Sequence, residues 1–185
     1  MIPRKSKRKN LEMTIEEMRN FATAYVEKYA PSKQQLKTYL LKKYLKSSVP
    51  SVKKENISDL VNLVTEDLEK TKFINDRFYS ESKAKNLIQK GSSINKIRNY
   101  LISKGIQDEH IKQTINKIKE QNEDQDFFSA IKICKKKRIG PAREEDNRSL
   151  FYKKDISILA RSGFDFETSK KVMDINKEDY VRIIN

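Results

Sequence analysis

One cysteine, Cys134, and one histidine, His110, stand in a chain of 185 residues. The lone cysteine excludes an intramolecular disulfide framework. With no second histidine, neither a multi-histidine metal site nor a His-assisted nucleophile can be assembled by familiar routes. Glycine and proline are also scarce, four of each, and with many Lys, Glu, Leu and Ile residues this favours helix over sheet. There is no glycine-rich phosphate loop. No apolar run approaches the roughly 18 residues of a membrane span, and the stretch from Met1 to Asn10 is basic without an apolar stretch after it, so a cytoplasmic protein with no membrane contact is expected. The adjacent acids Glu144, Glu145 and Asp146 do not by themselves fix a metal; they suit the positive start of a helix. No catalytic residue, metal or cofactor is expected.

What the chain has in excess is positive charge: 40 Lys and Arg against 26 Asp and Glu, a net +14. Such a balance points to a polyanionic partner, or to a partner itself wrapped around one. Hydrophobic and charged residues each make up 36%, which leaves only a thin core. Helices stacked in series suit that limit, because a module of about 50 residues buries only roughly 60% of its unfolded surface and leans on its neighbours.

A helix-ending phrase is written twice, Leu101-Ile102-Ser103-Lys104-Gly105-Ile106 and, 58 residues on, Leu159-Ala160-Arg161-Ser162-Gly163-Phe164. In each, a cation sits in the last turn, glycine supplies a left-handed residue, and an apolar side chain folds back onto the helix. Thr14 with Glu17 forms a capping box for a helix carrying Met18, Ala22, Tyr25 and Tyr29, which Pro31 stops. Ser32 and Gln35 restart the pattern with Leu36, Tyr39, Leu40 and Tyr44. After a loop containing Pro50 comes a stripe of Ile57, Leu60, Val61, Val64 and Leu68. Asn75 or Asp76 caps a helix of Ser80, Ala84, Leu87 and Ile88 that ends at Gly91. Ser93 caps the next, with Ile94, Ile97 and Leu101, and Asp108 caps a third, with Ile111, Ile115 and Ile118. A shift of 61 residues lays Ser32 on Ser93, Leu36 on Ile97 and Leu40 on Leu101, an agreement of caps as well as core. A final trio places Phe127, Ala130, Ile131 and Cys134 on one helix. Its second runs from Ser149 to Arg161 and carries Tyr152, Ile156 and Leu159, and a last long helix carries Ser169, Val172 and Met173. A short terminal helix spans 177–184. The expected organisation is all-α: a basic arm over 1–12, disordered by self-repulsion, then three-helix repeats over 13–72, 73–122 and 123–185.

Lys135, Lys136, Lys137 and Arg138, with Lys132 and Arg143, form a patch with no acid between Ala130 and Arg143. It can meet phosphate or acidic protein, or simply suit a helix end. The arm residues Arg4, Lys5 and Arg8 are a second cationic candidate. Arg98 lies about 40° from Ile94 on the helical wheel, so it either pairs with Asp76 or Asp108 or presents its head to a partner. Lys104 and Arg161 pose the same question at the two repeated helix ends. Asp76 reads as a cap, Phe78 as an inter-helix contact and Cys134 as a small buried hydrophobe. Tyr25, Tyr39 and Tyr100 fall on or beside core stripes and read as structural rather than base-stacking.

Phe73-Ile74-Asn75-Asp76-Arg77-Phe78, Lys90-Gly91, Ile97, Leu101, Lys104-Gly105-Ile106 and Arg161-Ser162-Gly163-Phe164, with Ser32, Leu36, Leu40 and Lys43 in the first unit, resemble the RecX family of bacterial regulators of the RecA recombinase. The likeness covers most of the chain beyond the basic arm, and departs from the commoner pattern in the insertion holding Lys53 and Lys54 and in the turn from Arg138 to Arg148. The resemblance implies an elongated, curved array of three-helix bundles acting as a monomer. Such an array binds within the groove of a RecA filament on single-stranded DNA and restrains recombination, DNA repair and the SOS response without catalysing anything. The competing expectation is a stand-alone basic helical protein that binds DNA directly.

Overall fold

The computed structural model describes residues 11–47 and 54–184. The arm with Arg4, Lys5 and Arg8, the loop with Pro50, and Lys53 lie outside those residues. Among the described residues there are ten α-helices, one 3-10 turn and no strand, so the protein is all-α. The helices are α1 (Ile15–Tyr29), α2 (Lys33–Ser47), α3 (Lys54–Lys70), α4 (Asp76–Gln89), α5 (Ile94–Ser103), α6 (Asp108–Gln121), α7 (Gln125–Lys137), α8 (Glu145–Arg161), α9 (Phe166–Met173) and α10 (Lys177–Ile184), with the 3-10 turn at Gly140–Ala142. They pack as two compact units. One comprises the described part of Met1–Tyr79 together with Lys104–Ile106; the other comprises Ser80–Ser103 and the described part of Gln107–Asn185.

In the N-terminal unit, α1, α2 and α3 pack on one another. Thr14 starts α1 by accepting the Glu17 N–H at 3.2 Å, but the other half of the expected capping box is not closed by Glu17 Oε2, which has no partner among the described residues. Ala30, left-handed at φ 41°, ends the helix ahead of Pro31. Ser32 and Gln35 do close a full box at α2: Ser32 Oγ accepts the Gln35 N–H at 3.2 Å and Gln35 Oε1 accepts the Ser32 N–H at 3.1 Å. The buried stripes have helical spacing throughout, with Met18 and Ala22 meeting Leu36, Leu40 and Tyr44 and then Ile57, Val61, Val64 and Leu68, and Ile74 closing the end. Each such aliphatic side chain contributes on the order of 1.5–3 kcal/mol by leaving water.

In the C-terminal unit, α5 packs on α6, burying Ile97 and Leu101 on the first and Ile111, Ile115 and Ile118 on the second. A second core joins Ala130, Ile131 and Cys134 of α7 to Leu159 of α8, Phe164, and Val172 and Met173 of α9. Tyr180 docks α10 onto this core at 4% exposure. Three expectations are corrected. The helix α8 begins at Glu145, not Ser149, because Glu145 and Asp146 are good first-turn residues. The expected last long helix is only the eight residues of α9. Asp108 is the first residue of α6 rather than its cap; Gln107 stands at the cap position, without a side-chain bond, and Asp108 pairs with Lys112 instead.

Candidate partner-binding surface

The end of α7 carries the densest exposed charge that the sequence singled out. Phe127, Ala130, Ile131 and Cys134 recur every three or four residues and turn inward, and this leaves Lys132, Lys135, Lys136 and Lys137 exposed. Arg138 follows, also exposed, in the left-handed conformation at φ 53°, and its N–H bonds the Cys134 carbonyl. One donor of the group is committed: Lys135 Nζ lies 3.4 Å from the Ile184 carbonyl. The cations sit at the negative end of the α7 dipole, which favours them there with or without a partner.

Arg143 does not belong to this patch. Its Nε and Nη2 donate to Asp155 Oδ2 and Oδ1 at 2.6 and 2.9 Å, and Asp155 Oδ2 also accepts the Gly140 N–H at 2.8 Å. The guanidinium lies 4.4 Å from the centre of the Phe151 ring. Asp155 is wholly buried. Burial pushes its carboxyl up, but the Arg143 hydrogen bond, the Gly140 N–H and the Arg143 charge outweigh it, and its pKa ends below the ordinary carboxylate value. The sequence did hold a signal for this pair: Asp155 falls on the apolar stripe, three residues after Tyr152 and four before Leu159. Beside it, burial and then the Asp155 charge push the Cys134 thiol up to about 12, so the cysteine is a packed hydrophobe without thiolate character.

The repeated phrases form the same contacts in each unit. At the start of α2, Ser32 Oγ donates to the Lys104 carbonyl at 2.7 Å, and the Lys33 N–H donates to Asp76 Oδ1 at 2.8 Å. At the start of α5, Ser93 Oγ donates to the Ser162 carbonyl at 3.1 Å and accepts the Lys96 N–H at 3.1 Å, while the Ile94 N–H donates to Asp126 Oδ1 at 2.7 Å. Each helix start thus has an otherwise unsatisfied N–H bonded by a carboxylate from a distant helix. Gly105 (φ 71°) and Gly163 (φ 90°) permit the approach: a Cβ would come within 2.5 Å of Gln34 Cβ in the first case and of Ser93 Oγ in the second. Ile106 and Phe164 fold inward at 6% and 4% exposure.

Two family-motif readings change. Asp76 caps α2 rather than its own helix, because Asn75 Oδ1 already accepts the Phe78 N–H at 2.9 Å. Phe78 is 70% exposed and is no inter-helix contact, since the inward positions of α4 are Tyr79, Ser80 and Ala84. Ile97 and Leu101 are buried as expected, and Gly91, left-handed at φ 79°, follows the end of α4. Asp126 was missed. Its signal was the phrase Asp126-Phe127-Phe128, which repeats the Asp-x-Phe of Asp76-Arg77-Phe78 at a spacing different from that of the caps. Burial pushes the Asp126 carboxyl up, the Ile94 N–H opposes this, and the nearby Asp165 adds to the rise.

Of the remaining candidates, Arg98 is half-buried and makes no ion pair among the described residues. Exposed Arg161 donates to the Ser157 carbonyl of its own helix at 3.1 Å. Half-buried Lys104 offers its carbonyl to Ser32. Glu145 and Asp146 stand in the first turn of α8, with Glu145 3.2 Å from Arg148. Among the described residues, His110 Nδ1 is buried without a hydrogen-bond partner and no group of His, Cys, Asp and Glu is placed to hold a metal. Nor is any described helix long and apolar enough to cross a membrane.

No protein-family model matches the chain, and no solved structure is significantly similar to it. Among curated proteins, the chain is similar to the regulatory protein RecX of Myxococcus xanthus (strain DK1622), with 31% identity over 166 residues that cover 86% of this chain and 85% of that protein. A likeness of that extent, in a chain whose twice-written helix ends make the same contacts in both of its units, shows that this protein belongs to the RecX family.

Proposed function

We propose that this protein regulates a RecA-type recombinase by lodging in the groove of the recombinase filament on single-stranded DNA. There it restrains filament growth and strand exchange, and with them recombinational DNA repair and the SOS response. The observation that carries this reading is the exposed run Lys135 to Arg138 at the end of α7 in a chain of this family. A groove lined by acidic protein and nucleic-acid phosphate attracts such a run from both sides, and charge of this kind governs association rate and register more than raw affinity. The reading includes three-helix repeats over 13–72, 73–122 and 123–185, and a monomer acting in the cytoplasm. Arg98, Lys104, Arg161 and the arm residues Arg4, Lys5 and Arg8 are its secondary contacts. The protein acts by occupying its partner, with no chemistry of its own.

The test is the recombinase's ATP hydrolysis on single-stranded DNA as the protein is titrated in, alongside co-sedimentation with filaments. Falling hydrolysis and co-sedimentation are expected; unchanged hydrolysis with no co-sedimentation overturns the proposal. Replacing Lys135, Lys136 and Lys137 together by Glu should weaken filament binding while leaving helical content intact. The second reading, direct binding of bare DNA, is favoured by the same cations. It predicts a steep salt dependence, with six phosphate contacts losing about a thousandfold in affinity between roughly 50 and 200 mM salt.

A further inference from the structure

The α1–α2 face of the N-terminal unit carries a row of three tyrosine rings that runs from the core out to solvent. Tyr25 and Tyr39 lie nearly parallel, 3.9 Å between centroids and 10° between planes, and Tyr29 continues from Tyr25 at 4.8 Å with a 47° tilt. Tyr25 and Tyr39 rest against the aliphatic core, whereas Tyr29 stands outside it and is 54% exposed. Tyr29 is the last residue of α1, and the chain turns away at left-handed Ala30, so no further turn of helix covers the ring. Cations attend the stack. Lys28 Nζ lies 5.2 Å from the Tyr29 centroid, and Lys43 Nζ lies 3.9 Å from Phe21 and 5.9 Å from Tyr39. The whole of α2 carries five lysines and no acid.

We propose that this face is a base-stacking strip for single-stranded DNA, with Tyr29 as the landing ring and Lys28 and Lys43 as phosphate partners. A base laid on Tyr29 lengthens a stack that Tyr25 and Tyr39 have already ordered, so little side-chain freedom is lost on binding. Rings beside a cationic track are what sequence-tolerant single-strand binding needs, because every base has a π-face and every link a phosphate. A duplex, whose bases are already stacked inside, gains nothing from the ring. The choice of DNA as the strand rests on the filament reading above, but the binding itself needs no recombinase.

The test uses the full chain without recombinase and an oligothymidylate bearing 5-iododeoxyuridine, with photo-adducts located by mass spectrometry. Adducts on Tyr29 or Tyr25 are expected. Tyr29→Ala should lose about 5-fold or more in affinity, the lower bound for one stacked base, with the salt slope unchanged. Tyr29→Phe should bind like the parent, and Lys28→Ala should reduce the salt slope by about 0.7, one single-strand phosphate contact. Because Tyr29 is exposed, its removal should leave the helical circular dichroism unchanged. Adducts confined to other residues, or Tyr29→Ala binding at parental affinity, overturns the strip. Tighter Tyr29-dependent binding of an oligouridylate overturns the assignment to DNA. If the strip binds DNA while filament hydrolysis is unaffected, the filament reading fails and the strip stands.

Discussion

The two cores of this protein are held by different physics. The N-terminal core, from Met18 to Ile74, is an aliphatic interlock whose fully buried members are Met, Ala, Leu, Ile, Val and one tyrosine. The core between α7 and α9 surrounds a buried carboxylate, Asp155, satisfied by Arg143 and the Gly140 N–H. The first gains from apolar area, spread over many small contributions. The second gains from apolar area as well, but it also holds one ion pair whose desolvation is compensated only while all partners are present. A thin core can therefore be completed either by more aliphatic area or by one well-satisfied polar group that fastens a turn, here the 3-10 turn at Gly140–Ala142, to a helix.

Removing one partner should break the contrast most sharply. Asp155→Ala leaves the Gly140 N–H and Arg143 unmatched and should cost about 3–5 kcal/mol, with hydrogen exchange rising across α7 to α9 and little change in α1 to α3. The double replacement Asp155→Leu with Arg143→Met should recover much of that loss. Leu40→Ala is the mirror experiment, costing about 2–5 kcal/mol with faster exchange confined to the N-terminal unit.

Acid should separate the two regions next. Asp155 has a native pKa below its ordinary 3.8, so its stabilisation is present above that value and is lost as pH falls through the native one. Asp126, pushed up by burial, offsets part of this loss. The expected outcome below about pH 3.8 is earlier loss of protection in the C-terminal unit, and Asp155→Asn should abolish the pH difference between the units. At high pH both units weaken, since burial raises the Tyr44 hydroxyl from 10.0 to about 12 and the Cys134 thiol from 9.0 to about 12; stability should fall from about pH 9 in the C-terminal unit and from about pH 10 in the N-terminal one.

Smaller effects follow at the matched helix starts. Asp76→Ala and Asp126→Ala each leave one helix-start N–H without its carboxylate, and each should cost about 1–3 kcal/mol, read as lower melting midpoints and faster exchange at the starts of α2 and α5 respectively. The smallest change in stability, within about 0.5 kcal/mol per site, is expected when Lys135, Lys136 and Lys137 are replaced by Gln, which should weaken binding alone; Glu at the same positions opposes the α7 dipole and should cost about 0.3–1 kcal/mol more at each.

Much of the fold was legible because its signals are local. Ser32 with Gln35, and Ser93, mark helix starts through bonds three residues long, and the stripes on α2 and α3 repeat at the helical period. The candidate surface was less legible. Lys135, Lys136 and Lys137 could be read as exposed from the inward spacing of Ala130, Ile131 and Cys134, but Arg143 could not be separated from them. Its partner Asp155 lies 12 residues away on a helix whose face is settled only by packing. Phe78 misled for the same reason: an aromatic beside a cap looks like a core residue until the inward face of α4 is known.

Caps, glycine stops and apolar periods determined by themselves that this chain would be helical and where most of its helices begin and end, because those energies arise within a turn or two of chain. Tertiary structure alone decided which carboxylate serves which helix. The bonds from Lys33 to Asp76 and from Ile94 to Asp126 span 43 and 32 residues, and their partners are chosen by how the helices pack, a property that no window of sequence contains.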